Sequence, residues 1–379
     1  MKQIAKTVCI LAIIVLAGCK PKSHEPAKPS DQGKNFYLFF TNDLNGEVDL
    51  CGCPMRKMGG IARRAKYIER IVEMKNPVLQ VDAGDGFFRE HMPNESFTTF
   101  EKDSALILAR GDAKLKVDAV NVGALDLYLG AQFVKELKEK AGDKGKLNLI
   151  SSNLVDKNTG QPVFETEKTV ERAGVKFGIF GLCRQSPAVP AELAVRDPKT
   201  VSEEMVKKLK TEKKVDLVIG LFNLGQDETR KICKQVPGID IAVISGAPSY
   251  IWNPELVDNT LMVQSGIGGK YLGQLEMNFS PVRRSKAADQ IDVGKLKDRL
   301  DRLNAQMALF EGEIQNQPEG RARYLELKGE RDSVKAQLEK ISLPFDFKHT
   351  LVPMDELMPV DVEIKGWIVR AFRADKGQN

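Results

Sequence analysis

Short apolar runs recur along residues 35–280, and segments with helical spacing of apolar positions separate several of them. The runs are FYLFFT, PVLQVDAG, DAVNVGAL, LNLISSN, VKFGIFGL, VDLVIGLFNLG, IDIAVISGA, TLMVQSG and YLGQLEMNF. Continuous apolar runs of this length are typical of strands that are buried on both faces. The amphipathic segments 61–74 and 202–213 predict helices, with Arg63 and Arg64 of the first segment on its solvated face. The pattern therefore indicates a layered α/β domain.

A different pattern begins near residue 281. Within residues 296–314, apolar residues are alternately four and three positions apart, which is the spacing of a coiled-coil seam. The same spacing resumes within residues 324–341. We therefore expect an antiparallel helical hairpin over residues 281–342, with charged and solvated outer faces. The last segment, 343–379, is apolar enough to pack back on the α/β domain, and it should end in a short amphipathic helix.

The first 34 residues predict export and attachment to a membrane. Two lysines precede an apolar run that is too short to span a bilayer, as in a signal peptide over residues 1–19. The sequence LAGC resembles the lipobox of bacterial lipoproteins, which implies that Cys19 is acylated and becomes the first residue of the mature chain. That resemblance implies a lipid-anchored protein of the cell envelope, on the outer membrane and facing the periplasm or the cell surface. Residues 20–34 are polar and contain proline, as expected for a flexible tether.

The charge balance excludes one class of partner. The 57 basic and 52 acidic side chains are interspersed and leave a net charge of only +5 over 379 residues. A nucleic-acid-binding protein usually concentrates basic residues in a patch or stripe. We therefore expect no nucleic-acid partner.

Polar clusters follow several of the predicted strands. They are TND at 41–43, DAGD at 82–85, NLG at 223–225 and SGA at 245–247. Ligands of open α/β sheets bind outside the carboxyl ends of the strands, so these clusters define the candidate site.

The runs and their polar ends occur in the order and at the spacing found in one family. Over residues 36–279 the chain resembles the 5′-nucleotidase and UDP-sugar hydrolase group of metallophosphoesterases. The matching blocks are LFFTNDLNG, LQVDAGD, DAVNVG, LDLYLG, SSNLV, GVKFGIFGL, VDLVIGLFNLGQDET, GIDIAVISGAPS and LMVQSGIGGKYLGQLEM. The resemblance implies an α/β fold, a four-layer calcineurin-like sandwich. The appended helical hairpin stands in place of the family's C-terminal nucleotide-binding domain.

In that family, two metal ions bridged by an aspartate clamp a phosphoester and activate water. The resemblance places Asp43 at the first aspartate ligand and Asp85 at the bridging aspartate. At the other functional positions, different residues replace the side chains that the family uses. Asparagine or small residues stand at the histidine ligands, and Ala and Leu stand at the family's Asn-His pair; these positions are Asn45, Asn223, Ala247, Ser249, Ala124 and Leu125.

The remaining side chains form an all-oxygen set, namely Asp43, Asn45, Asp85 and Asn223. Such a set could suit one hard divalent cation such as Ca²⁺ or Mg²⁺. Alternatively, the two carboxylates could accept hydrogen bonds from backbone N–H groups of the adjoining turns. A single ion with no positioned acid or base cannot carry out the two-metal reaction.

Cysteines add a second possible chemistry. Cys51 and Cys53 follow the first strand, and Cys183 ends the run KFGIFGLC. These thiols could converge with the carboxylates and bind a soft metal or exchange sulfur. In an exported protein, a structural disulfide that joins Cys51 or Cys53 to Cys183 is the simpler expectation.

These observations favour a degenerate, inactive domain that acts as a binding or scaffold module, with the hairpin as the surface for a protein partner. The rival hypothesis is a metal-dependent phosphoester or nucleotide hydrolase, or a hydrolase assisted by a thiol. A redox accessory is a third class, but it rests on the thiols alone because the chain has no Cys-x-x-Cys-His haem motif.

Overall fold

The structure is a computed structural model. It describes residues 34–51, 56–91, 96–142, 147–247, 249–279, 293–310, 318–340 and 343–377. The predicted signal peptide, the lipidation position Cys19, Cys53 and the tether up to residue 33 lie outside the described residues. Within the described ranges, no helix combines the length and the apolar character that crossing a membrane requires.

Strands and helices alternate along the α/β part of the chain. The strands are β1 (Lys34–Thr41), β2 (Val78–Asp82), β3 (Ala119–Asn121), β4 (Leu149–Ile150), β5 (Leu154–Asp156), β6 (Glu167–Arg172), β7 (Val175–Cys183), β8 (Leu193–Val195), β9 (Leu217–Asn223), β10 (Ile241–Ser245), β11 (Ile251–Val257), β12 (Thr260–Gln264), β13 (Tyr271–Phe279) and β14 (Phe345–Pro353). The helices are α1 (Ile61–Glu73), α2 (Thr99–Leu115), α3 (Gly130–Lys140), α4 (Pro198–Lys207), α5 (Gly225–Gln235), α6 (Val293–Leu309), α7 (Pro318–Lys340) and α8 (Val362–Asp375).

Two six-stranded sheets form the centre of the domain. The first has the order β14-β13-β1-β2-β3-β4, and the second has the order β11-β12-β10-β9-β7-β6. Strands β1 to β4 run parallel to one another, as do β7, β9, β10 and β12. Buried side chains of both sheets, including Phe36, Leu38, Phe177 and Ile179, meet in one core between them.

Helices cover the outer face of each sheet. Apolar residues of α1, α2, α3 and α8 pack in one outer core, and those of α4 and α5 pack in another with the second sheet. The result is a four-layer sandwich, so the predicted fold class is confirmed. Because the strands lie between a second sheet and a layer of helices, β1, β7 and β9 need apolar residues on both faces.

The C-terminal segment completes the first sheet. Strand β14 pairs antiparallel with β13 along its whole length, from Phe345 opposite Phe279 to Pro353 opposite Tyr271. Helix α8 begins at Val362, and the carboxylate of the preceding Asp361 caps it by accepting a hydrogen bond from Ile364 N. The sequence predicted that this segment packs back on the domain, but it did not predict an added strand.

Helices α6 and α7 pack against each other through a small core of their own. Leu303, Met307, Leu327 and Val334 are its buried residues. The predicted seam residue Ile314 lies outside the described residues. Among the side chains that the structure describes in these two helices, few are fully buried, so packing against another surface would add to the stability of the pair.

The two arginines of α1 are buried, which contradicts the predicted solvated face. Arg63 and Arg64 are each only 6% exposed. Arg64 forms an ion pair with Asp112 of α2 and donates a hydrogen bond of 3.1 Å to Thr41 Oγ1, while Arg63 lies 3.3 Å from Asp49. Their partners come from other elements, so helical periodicity alone could not reveal them.

Candidate functional site

Two left-handed turns at the carboxyl ends of β1 and β2 hold the carboxylates of Asp43 and Asp85. Asp43 and Asp85 have φ values of 46° and 56°, which is an uncommon backbone conformation for residues other than glycine. The turns are joined by hydrogen bonds of 3.0 Å from Asp43 N to Gly84 O and from Asn45 N to Asp85 O. The structure thus brings Asp43 and Asp85 together on two turns that are joined by backbone hydrogen bonds.

Arg184 lies at the centre of the site, and the sequence analysis missed it. Its Nη1 donates hydrogen bonds to Asp85 Oδ2 at 2.6 Å and to Asn223 Oδ1 at 2.7 Å. Arg184 directly follows β7, and Cys183, the last residue of β7, is in register with Asn223 of β9. The position of Arg184 after a central strand was therefore a usable signal, although it matches no motif position.

The remaining acceptor atoms of the two carboxylates are also occupied. Asp85 Oδ1 accepts a hydrogen bond of 2.8 Å from Leu125 N. Asp43 Oδ1 accepts one of 2.8 Å from Gly246 N, and its Oδ2 accepts one of 2.9 Å from Asn42 Nδ2. Each carboxylate oxygen therefore already has a protein donor.

Asn223 is held from three sides. In addition to Arg184, its Oδ1 accepts a hydrogen bond of 2.9 Å from Ala124 N, and its Nδ2 donates one of 2.9 Å to Ser245 Oγ. The backbone of Ala124 and Leu125 thus anchors Asn223 and Asp85, although neither side chain carries polar chemistry.

One guanidinium faces two carboxylates, and the pKa of Asp43 reflects this imbalance. Burial and then the nearby Asp85 charge raise the pKa of Asp43 to about 7. Arg184 lowers this pKa, but its effect is the smallest of the contributions. Asp85 forms the direct ion pair with Arg184, so Asp43 is the less compensated of the two carboxylates.

Asp126 organises the turn that carries Asp85, and the sequence analysis missed this role as well. Its carboxylate accepts backbone hydrogen bonds from Asp85 N at 3.0 Å, Phe87 N at 2.8 Å and Gly123 N at 2.8 Å. Burial, and then the charge of Asp85, raise the pKa of Asp126 well above its usual range. The stretch VGALDLYLG therefore supplies one structural carboxylate and two backbone donors to the site.

Gly123 leaves the space in which these groups meet. A Cβ atom at this position would lie 2.4 Å from Asp85 Oδ1 and 3.0 Å from Asn223 Cγ. Any larger residue would have to push the two side chains apart.

Other predicted positions do not join the cluster. Asn45 lines a separate cavity of about 210 Å³ with Phe88 and Arg89. Ser249 Oγ accepts a hydrogen bond of 3.0 Å from Gln226 Nε2, in a group of amides. Ala247 has only a methyl group, and its backbone oxygen accepts a hydrogen bond from Gln264. Of the predicted oxygen set, the structure brings together Asp43, Asp85 and Asn223.

The cysteines do not form the predicted disulfide. Cys183 is fully buried and is not disulfide-bonded, which contradicts its predicted pairing with Cys51 or Cys53. Its thiol lies 3.3 Å from Arg184 O, and burial, followed by the Asp85 charge, raises its pKa well above the usual range. Cys51 Sγ lies 3.9 Å from Arg56 O. As the last residue of β7, Cys183 is enclosed by the sheet and the turns, whereas a partner cysteine in the loop after β1 would have to reach it there.

The donor set does not suit a metal ion. No group of three or more His, Cys, Asp or Glu side chains in the described part of the chain is arranged to hold one. Divalent ions need lone pairs on several converging ligands, but here the oxygens of Asp85 and Asn223 already accept hydrogen bonds from Arg184.

Comparisons with known proteins identify the fold. No family model matches the chain. The chain is 24% identical over 325 residues to a 5′-nucleotidase of Vibrio cholerae, an alignment that covers 74% of this chain and 55% of that protein.

Two solved structures are similar to this one. The 5′-nucleotidase precursor of Thermus thermophilus aligns with a TM-score of 0.65 at 18% identity over 90% of this chain and 59% of that chain. The calcineurin-like phosphoesterase YfkN of Bacillus subtilis aligns with a TM-score of 0.58 at 13% identity over 90% of this chain and 98% of that one. The chain spans little more than half the length of the 5′-nucleotidases that it matches. It contains a 5′-nucleotidase-like metallophosphoesterase domain.

Proposed function

We propose that this protein is an exported, lipid-anchored protein of the cell envelope whose metallophosphoesterase-like domain is catalytically inactive and acts as a binding or scaffold module. The observation that carries the proposal is the position of Arg184. Its guanidinium donates hydrogen bonds to Asp85 and Asn223. These two residues stand at metal-ligand positions of the related phosphoesterases. The side chain of Arg184 supplies positive charge where those enzymes use metal ions.

Electrostatics favour the guanidinium over a metal at this place. A divalent ion about 4 Å from the guanidinium would be repelled by about 8 kcal/mol at the effective dielectric constant of a protein surface. The ion would also displace hydrogen bonds of 2.6 and 2.7 Å from the same oxygens. Arg184 would have to leave the site before an ion could bind to Asp85.

Among the described residues, no histidine lies at the site to act as a general acid or base, and both carboxylate oxygens of Asp43 already accept hydrogen bonds from Gly246 N and Asn42 Nδ2. The described histidines lie elsewhere: His91 stacks on Phe97, and His349 stacks on Phe40. Burial lowers the pKa of His349 to about 4. A mechanism through the Cys183 thiol is not favoured either, because that thiol is buried and its pKa is raised. Nucleophilic catalysis by cysteine requires an accessible thiolate.

A protein partner would bind through the hairpin of α6 and α7. Leu309 is 70% exposed and Leu325 is 56% exposed, although both are large apolar residues. Outward-facing leucines on a pair of helices with a small core are a suitable surface for another helix or for an apolar groove.

Activity measurements test the proposal of inactivity. The purified chain is incubated with p-nitrophenyl phosphate and with nucleoside monophosphates, with Mn²⁺ or Zn²⁺ added, beside Asp85→Ala as the matched background. We expect equal, background rates from both proteins. Turnover by the native chain that disappears in Asp85→Ala would overturn the proposal.

Two further measurements test the anchor and the partner surface. Mass spectrometry of the mature N-terminus should find acyl chains on Cys19, and Cys19→Ala should abolish membrane attachment.

For the hairpin, the double variant Leu309→Asp, Leu325→Asp should reduce crosslinking to envelope proteins. Val72→Asp, at a residue that is 50% exposed on α1, serves as the control. Equal crosslinking of all three proteins would refute the hairpin as the partner surface.

A further inference from the structure

The outer face of α8 exposes apolar side chains to an unusual extent. Val362 is 82% exposed, Val369 is 37% exposed and Phe372 is 38% exposed. Leu357, in the turn that precedes the helix, is 90% exposed. Single exposed apolar residues are common on protein surfaces, but a group of them on one element marks an interaction surface.

The geometry of the helix places these residues on one side. At about 100° per residue, Val362, Val369 and Phe372 lie within a sector of about 80°. The buried residues Ile364 and Ile368 lie about 120° and about 80° from the middle of that sector and pack into the outer core. Helix α8 therefore has one apolar stripe that faces the protein and a second one that faces outward.

Cations flank the outward stripe. Arg370, Arg373 and Lys376 are exposed, and among the described residues none of them forms an ion pair. In contrast, Lys365 at the start of the helix pairs with Asp49. Helix α8 contains two carboxylates: Glu363 forms an ion pair with Lys114 at 3.0 Å, and Asp375 is exposed in the last turn, about 60° from Phe372. With three cations and one exposed carboxylate in its last turns, the exposed face of α8 is apolar and carries a net positive charge.

We propose that this face of α8 lies on an anionic lipid surface. An amphipathic helix with apolar residues beside lysine and arginine lies in the headgroup region, where the apolar side chains insert and the cations meet lipid phosphates. The three unpaired cations select a negatively charged membrane over an uncharged apolar protein groove. At the usual contribution of one cation near such a surface, three cations should strengthen binding to anionic over neutral lipid by about 100-fold. The inference does not depend on the absence of catalysis, nor on acylation of Cys19.

Hydrogen exchange tests the proposal on the full chain. The protein is mixed with vesicles of phosphatidylcholine alone or with about one third phosphatidylglycerol, and amide exchange of Val362–Asp375 is followed by mass spectrometry. We expect slower exchange in α8 with the anionic vesicles only, and a weaker effect at high salt because counterions screen the cations. This local readout remains valid even if an N-terminal lipid attaches the chain to both kinds of vesicle.

Matched charge variants complete the experiment. The triple variant Arg370→Gln, Arg373→Gln, Lys376→Gln should lose the protection. The triple variant Arg321→Gln, Lys328→Gln, Lys335→Gln, which removes three exposed cations from α7, should keep it.

Three results would overturn the proposal. One is equal exchange of α8 with neutral and anionic vesicles, and another is an equal loss of protection in both triple variants. The third is protection that grows with protein concentration in the absence of vesicles, which would assign the face to a second copy of the chain. If thermal unfolding shows that the α8 triple variant is misfolded, the single variant Arg373→Gln, on an exposed side chain, takes its place and should lose part of the protection.

Discussion

Replacing Arg184 by methionine tests the central feature of the site. Methionine retains a long apolar side chain but removes the guanidinium from Asp85 and Asn223. The side chain of Arg184 is 25% exposed, whereas that of Asp85 is 1% exposed. The substitution therefore leaves a buried carboxylate without its charge partner.

The expected loss of stability in Arg184→Met depends on the hydrogen bonds that Asp85 and Asn223 retain. Removing one partner of a fully buried ion pair usually costs 3–5 kcal/mol. Asp85 retains the hydrogen bond from Leu125 N, and Asn223 retains those with Ala124 N and Ser245 Oγ. Because the guanidinium is also partly exposed, we expect a loss of about 2–3 kcal/mol in the free energy of unfolding at pH 7.5.

The assay is urea unfolding of four proteins: the native chain, Arg184→Met, Asp85→Asn and the double variant. The double variant should be more stable than Arg184→Met, because asparagine at this position carries no charge that needs the guanidinium, whereas the carboxylate of Asp85 does. As the control, Arg196→Met breaks an exposed ion pair with Glu204, whose side chains are 42% and 45% exposed, and should cost less than about 1 kcal/mol. A cost of Arg184→Met as small as that of the control, or the same cost in both Asp85 backgrounds, would refute this account of the site.

Further predictions concern the same cluster. The pKa of Asp43 is raised from 3.8 to about 7, so between these pH values the folded state holds a proton that the unfolded chain releases. The free energy of unfolding should therefore fall as the pH rises through this range. Asp43→Asn should remove this pH dependence in unfolding measured from pH 4 to pH 8. Gly123→Ala should lower the free energy of unfolding by at least about 2 kcal/mol, because its Cβ would lie 2.4 Å from Asp85 Oδ1. As the control, Gly329→Ala on α7 should be neutral or stabilising, because a Cβ there has nothing within 4 Å. Thermal unfolding of both variants distinguishes the two effects. Cys183 should resist alkylation in the native protein and react after denaturation, and equal rates in both states would contradict its burial.

The layered sheets were predictable because burial on both faces requires a continuous apolar run along each strand. A strand between a second sheet and a helix layer needs apolar residues on both faces, and the runs that form β1, β7 and β9 show them. Strand β14 was not predicted, since its sequence FDFKHTLVP is not a continuous apolar run and its burial depends on a distant pairing with β13. Helix α4 also begins earlier than predicted, at Pro198 after the capping residue Asp197.

The candidate site was predictable only where side chains occupy motif positions. Asp43 and Asp85 were identified from the strand ends, and the structure brings them together. Arg184 and Asp126 were missed because the resemblance compares residues at ligand positions, whereas these side chains enter the site from neighbouring positions. Arg184 enters the site from outside the motif, so a search limited to ligand positions cannot find it.

The single guanidinium of Arg184 leaves the charge of one of the two carboxylates, that of Asp43, without a partner. Two metal ions can neutralise several carboxylates, but a single guanidinium neutralises one, and Arg184 is bonded to Asp85 rather than to Asp43. The raised pKa of Asp43, about 7, means that a proton supplies the second positive charge below that pH. Above it, Asp43 carries an uncompensated charge beside Asp85, and any residual affinity for a divalent cation should increase with pH. Titration of the native chain with Mn²⁺ by calorimetry at pH 6 and pH 8.5, with Asp43→Asn as the control, measures that increase. Binding that is independent of pH, or unchanged in Asp43→Asn, would show that the ion binds elsewhere.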